Sequence, residues 1–122
     1  MAAQYRLTMS ARTDINALLD ESTRQHGQDA RNRYAALLLA ALRRIAKNPE
    51  GGATSARPEL HPNVRSFHIH HSRTESNAAP ISNPVHVTFY RTTEPSIVEI
   101  IRILHDRMEP SRHFEVATNH KT

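Results

Sequence analysis

Hydrophobic and polar residues take turns along VHVTFYR, residues 85–91: Val85, Val87 and Phe89 fall on one face and His86, Thr88 and Tyr90 on the other. This two-residue period predicts a half-buried strand. At hairpin distance the pattern changes. Ile97, Val98, Ile100, Ile101, Ile103 and Leu104 form a nearly continuous β-branched run, which predicts a strand with neighbours on both edges and apolar cover on both faces. It ends abruptly in His105, Asp106 and Arg107, so a central strand delivers charged and imidazole groups to one end of a sheet.

The N-terminal half is helical. Tyr5, Leu7 and Met9 alternate with Gln4, Arg6 and Thr8 as a first strand, after which Ser10 is the expected cap of a helix running to Gly27. Asp14 would sit in its first turn, favourably placed against the helix dipole, and Ile15, Leu18, Leu19 and Ser22 form its stripe. A second helix, from about Gln28 to Asn48, carries Tyr34, Leu37, Leu38, Ala41, Leu42 and Ile45 at helical spacing. Arg31, Arg33, Arg43, Arg44 and Lys47 lie largely off that face, and Asn48, Pro49 and Gly51 end the helix. So short a link predicts an antiparallel hairpin that lays both stripes on the sheet.

Residues 52–63, with Pro58 and Pro62, read as a surface connection. A strand follows over about Val64 to His70, with Phe67 and Ile69 on one face and Ser66, His68 and His70 on the other. HSRTESNAAPISNP, residues 71–84, has no period and reads as a mobile loop. A short helical turn is expected around Met108 to His113, and residues 115–122 read as a frayed tail. The expected fold is α+β, of order β-α-α-β-β-β, with a helical hairpin packed on a mainly antiparallel sheet. A chain of 122 residues is normally one domain, here with its core over about 4–114.

Composition narrows the setting. There is no cysteine, which excludes disulfides and thiolate metal sites and points to a reducing cytoplasm. No apolar run approaches the roughly 20 residues a membrane span needs, and MAAQYRLTMSARTD lacks the apolar centre of a secretory signal. Lys and Arg number 16 against 12 Asp and Glu, a formal charge of +4. Lys occurs only at 47 and 121, so arginine forks dominate, and they suit phosphate or carboxylate recognition.

The string FYR, a short turn, an Ile-rich strand and RILHDRMEPSRHF closely resembles the end of ParE-type toxins of the RelE/ParE superfamily, the toxic halves of bacterial type II toxin-antitoxin pairs. Tyr5, Leu7, Ala11, Asp14 and Ile15 resemble that family's opening strand and first helix, and ALRRIAKNPEGG the end of its second. RPEL, residues 57–60, and VRSF, residues 64–67, resemble its approach to the next strand. The resemblance covers about Tyr5 to Phe114, and residues 71–84 depart from it as an insertion where the family usually has a tight hairpin. It implies a cytoplasmic bacterial toxin that stops growth by binding DNA gyrase, is neutralised by a cognate antitoxin in a hetero-oligomer, and needs no cofactor and no membrane. Two other activities stay open: a ribosome-dependent endoribonuclease that cuts messenger RNA, and an inactive homologue acting as co-repressor with its antitoxin.

Two constellations are candidates for chemistry. His68, His70, His71 and His86 are imidazoles a metal would accept, but no Cys or Asp nearby in sequence completes the set and Glu75 lies in the loop, so no metal is expected. The second set is Arg65, Tyr90, Arg91, His105, Arg107 and His113, which the sheet could gather at one edge. Attack by an RNA 2′-hydroxyl needs a base, an acid and cations around the phosphate, and His105, Arg65, Arg91 and Tyr90 would supply them in a nuclease. In a gyrase-binding toxin the contact residues would be Arg107, Met108, Arg112 and His113. The plain alternative is that His105 caps the strand end and Arg107 pairs with Asp106 or Glu109.

Overall fold

The computed structural model describes residues 4–114, and the expected frayed tail falls outside them. Strand β1 (Gln4–Leu7) leads into helices α1 (Met9–His26) and α2 (Gln28–Lys47), followed by β2 (Ser55–Ala56), β3 (Arg65–His68), β4 (His86–Glu94) and β5 (Ile97–His105). Single 3-10 turns occupy Ile69–Ser72 and Pro110–His113. Among these residues the sheet has five strands in the order β1-β5-β4-β3-β2, with β1 parallel to β5 and the other pairs antiparallel. The α+β architecture and the helical hairpin are as the hydrophobic pattern predicts. The hairpin turns on one residue, Gly27, whose φ of 91° is open to glycine and strained for other residues.

The Ile-rich run is central, as expected. β1 covers one edge of β5 through Ile100 and β4 the other through its whole length. Where β1 stops, α1 takes over the exposed edge. The Thr8 amide donates to Ile100 O (3.1 Å), its hydroxyl to Ile101 O (2.8 Å), and Asp14 Oδ2 accepts the Ile103 amide (2.9 Å). Thr8, not Ser10, is therefore the helix cap, its hydroxyl oxygen accepting from the Ala11 amide. Asp14 lies beyond the first turn and faces β5 rather than the dipole. A bulge follows: Phe89 pairs with Arg102 and Tyr90 with Ile100, leaving Ile101 unopposed and turning Arg102 towards α1.

Other expectations change. The 52–63 connection contributes β2, which pairs Ser55 with Ser66 and Ala56 with Arg65; the Arg57 amide adds a bond to Val64 O, and Pro58, with no N–H to give, follows as the ladder stops. β3 ends at His68 because the chain coils into the 3-10 turn, burying Ile69 and Ser72. β4 is not half-buried at its centre: Thr88, Phe89 and Tyr90 are all at most 2% exposed. The helices cover one face, where Leu37, Leu38, Ala41 and Ile45 meet Phe67, Tyr90, Val98, Ile100 and Ile103. The other face carries Val64, Phe89, Leu104 and Phe114, the last edge-on to Phe89 at 5.6 Å. Burying Phe114 contributes on the order of 2 kcal/mol and anchors the C-terminal turn across the sheet. The 71–84 segment is tied down as well: Arg44 donates to His71 O and to Glu75 Oε2, and Ile81 packs on the helix-side core.

Candidate functional site

The β4/β5 register sets His86 opposite His105, so one end of the sheet gathers imidazoles. The Tyr34 hydroxyl from α2 accepts the Val85 amide at 3.1 Å and lies 2.7 Å from His86 Nδ1. The hydroxyl hydrogen has no other acceptor among the described residues, so it is satisfied by donating to Nδ1, which leaves the His86 proton on Nε2. Burial, reinforced by the neighbouring His105, pushes the His86 pKa down to about 4, and burial pushes Tyr34 up to about 12. A neutral Tyr34–His86 pair is thus fixed at the inner end of the site.

Outside it lies a second group. His68 Nδ1 accepts the His70 amide (3.2 Å), so its Nε2–H donates to Asp106 Oδ2 at 2.9 Å. That bond, with the charges of His105 and Arg107, holds the Asp106 carboxyl below its usual range. His105 Nδ1 accepts the Arg107 amide at 3.1 Å, capping the strand end. The same nitrogen stands 3.3 Å from Asp106 Oδ1, a contact that becomes an ion pair only when the ring is protonated. The rings of His68, His70 and His71 lie 4.7 and 4.0 Å apart in sequence order, and burial, with the charges of His70 and Arg44, lowers the His71 pKa. Among the described residues no three His, Asp or Glu side chains are arranged to hold a metal ion.

The second constellation is not gathered at one edge. Arg65 and Tyr90 are cross-strand partners, but Tyr90 is fully buried with its hydroxyl on Pro49 O, and Arg65 Nη2 donates to Thr54 Oγ1. Arg91 is engaged by Glu99 at 2.9 Å. His105 stands five residues along β5 from Ile100, the partner of Tyr90, which separates them by roughly 16 Å at strand spacing. The nuclease set is split because it mixes Tyr90 and Arg91 from the middle of β4 with His105 from the end of β5.

Beyond His105 the chain presents Arg107, Met108 and Arg112 to solvent, with His113 half-buried. Arg107 and Arg112 make no ion pair among the described residues, so Arg107 does not pair with Asp106 or Glu109. Glu109 instead accepts from Ser111 Oγ at 2.8 Å and caps the turn. The clamp behind this turn was not visible in the sequence. Asp14 takes Arg102 Nε and Nη2 at 2.8 and 2.9 Å, and Arg102 Nη1 donates to His113 O at 3.0 Å. Hydrogen bonding to Asp14 raises the Arg102 pKa further. Among the described residues no helix is long and apolar enough to cross a membrane.

Residues 5–110 match the family model described as ParE toxin of type II toxin-antitoxin system, parDE. Toxin ParE1 of Mycobacterium tuberculosis, from strains CDC 1551 / Oshkosh and H37Rv, is 27% identical over 114 residues, covering 93% of this chain and 100% of the relative. A solved structure titled as a chromosomal ParDE TA system from P. aeruginosa superposes with a TM-score of 0.62 at 15% identity, over 85% of this chain and 96% of that one. At that identity it speaks to the fold.

Proposed function

Since this chain belongs to the ParE toxin family of type II toxin-antitoxin systems, we propose that it stops growth by binding a protein target, DNA gyrase, and that a cognate antitoxin neutralises it. The observation that favours binding over cleavage is the split of the candidate nuclease set. Tyr90 is buried, Arg65 and Arg91 are engaged, and His105 lies at the end of β5, five residues from the partner of Tyr90. A base, an acid and cations must converge within hydrogen-bond reach of one phosphate to cut RNA, and these do not. The exposed turn has the opposite character. Arg107 and Arg112, without ion-pair partners among the described residues, flank Met108 at 46% exposure, a mixture of fork and apolar anchor suited to a protein surface. The same turn is held rigidly by Asp14, Arg102 and Phe114.

The antitoxin follows from the family and from charge. A basic domain is a natural receptor for an acidic segment that folds as it binds. The test is purified protein against gyrase supercoiling and, in parallel, against messenger RNA on translating ribosomes. Inhibition of supercoiling with intact messages is expected. Joint replacement of Arg107, Arg112 and His113 by Ala should abolish both supercoiling inhibition and growth arrest while leaving the far-ultraviolet spectrum unchanged, because Arg102 binds the backbone carbonyl of residue 113. Message cleavage lost on His105→Ala would overturn the reading.

A further inference from the structure

Between the helix hairpin and the segment entering β4 lies a cleft of about 920 Å³, within the range of pockets that hold small molecules. Leu18, Ala30 and Ile81 give it an apolar wall, and Tyr34, His86 and His105 line its inner end. Hydrogen bonding fixes the polarity of that end. Tyr34 occupies His86 Nδ1 and the Arg107 amide occupies His105 Nδ1, so each neutral ring carries its hydrogen on Nε2. Neither Nε2 has a hydrogen-bond partner among the described residues. Arg33 adds a cation, tethered among the described residues only by a 3.6 Å contact to the almost fully exposed Asp29. The cleft's carboxylate, Glu21, is already held by Arg24 and Gln25. Two imidazoles with unpartnered Nε2–H groups among the described residues and one guanidinium thus line the same concave space.

We propose that this cleft binds a small organic oxyanion, its phosphate or carboxylate head on His86 and His105, its apolar body along Leu18, Ala30 and Ile81, and Arg33 supplying the counter-charge. The proposal does not depend on which macromolecule the toxin acts upon. Burial that keeps His86 uncharged at neutral pH also keeps it a hydrogen-bond donor with a fixed tautomer, so recognition there is directional.

The experiment follows histidine side-chain 15N resonances of the full-length protein during titration with phenyl phosphate, and with inorganic phosphate and phenol as head-only and body-only controls. Phenyl phosphate should shift His86 and His105 saturably, with Kd below about 1 mM and roughly tenfold tighter than either control. Ile81→Trp, which fills the cleft from its loop side, should weaken binding at least about tenfold with the far-ultraviolet spectrum unchanged. Arg33→Gln, which keeps most of the side chain's length, should weaken phenyl phosphate but not phenol, and stands as the test should the Trp variant fold poorly. Equal shifts at His70, unimpaired binding in Ile81→Trp and Arg33→Gln, or equal affinity for phenol and phenyl phosphate would each overturn the site.

Discussion

Replacing His86 with Asn should flatten the acid limb of this protein's stability curve. His86 is half-buried beside β5 and accepts from Tyr34, and its folded pKa is about 4 against 6.5 when exposed. A base whose folded pKa is depressed makes the unfolded chain the better proton acceptor. Its penalty is therefore absent above the unfolded pKa, grows as pH falls from about 6.5, and levels off below about 4. The interval from 6.5 to about 4, at about 1.4 kcal/mol per pH unit, comes to roughly 3 kcal/mol. His105 and His68 oppose the charge on His86 while Asp106 and Asp14 favour it, but burial outweighs all four. Asn keeps an acceptor oxygen near the place of Nδ1 and cannot titrate. Urea unfolding at pH 7 should show the variant about 1–2 kcal/mol less stable for its lost ring volume. At pH 4.5 the gap should close or reverse, because the wild type alone loses a further 2 kcal/mol or so through this residue. Asp106, held low by His68, makes its own contribution above the ordinary carboxylate range and loses it only as pH drops further, so the two windows separate. Parallel curves for the two proteins between pH 7 and 4.5 would refute the argument.

Asp14→Ala should be among the most damaging single changes, because Asp14 and Arg102 are only 12% and 22% exposed and the carboxylate takes three hydrogen bonds. The expected loss is roughly 3–5 kcal/mol, read as a shifted denaturant midpoint, with much of it recovered in Asp14→Ala/Arg102→Met; a loss under about 1 kcal/mol would contradict the clamp. Shortening residues 71–84 to a two-residue turn removes Ser72 and Ile81 from the core and should destabilise by about 2 kcal/mol or more. Glu75→Ala, which breaks only a surface pair with Arg44, should stay within about 1 kcal/mol by the same midpoint assay.

Most of the fold was legible because its elements are strongly periodic. The Ile-rich β5 needed cover on both faces and a neighbour on each edge, and it has them. What escaped were effects of partners distant in sequence. β4 alternates like a half-buried strand, yet both its faces are covered: Phe114 and Leu60 pack on the Phe89 face, and the helices cover the Tyr90 face that periodicity left to solvent. Ser10 is a good cap by residue type, but Thr8 lies where the hydroxyl can serve both α1 and Ile101, so tertiary geometry moved the cap by two residues. The polar 71–84 segment reads as free because its anchors, Arg44 and the core against Ile81, lie on other elements.

The candidate site was legible in its residues and not in their arrangement. His105, Arg65, Arg91 and Tyr90 are all present, but β4 and β5 run antiparallel, so residues near the start of one meet the end of the other. His86 meets His105, and Tyr90 meets Ile100. Tyr90 and Arg91, in the middle of β4, are therefore held away from His105. The same geometry explains why one fold can host unlike activities. The sheet fixes which end each side chain occupies, while the exposed turn from Arg107 to Arg112 hangs from it by Asp14, Arg102 and Phe114. Changing the turn alters what the protein can touch without altering the core. Moving a general base from one sheet end to the other would mean changing the register of β4 against β5 and, with it, every buried pair between them.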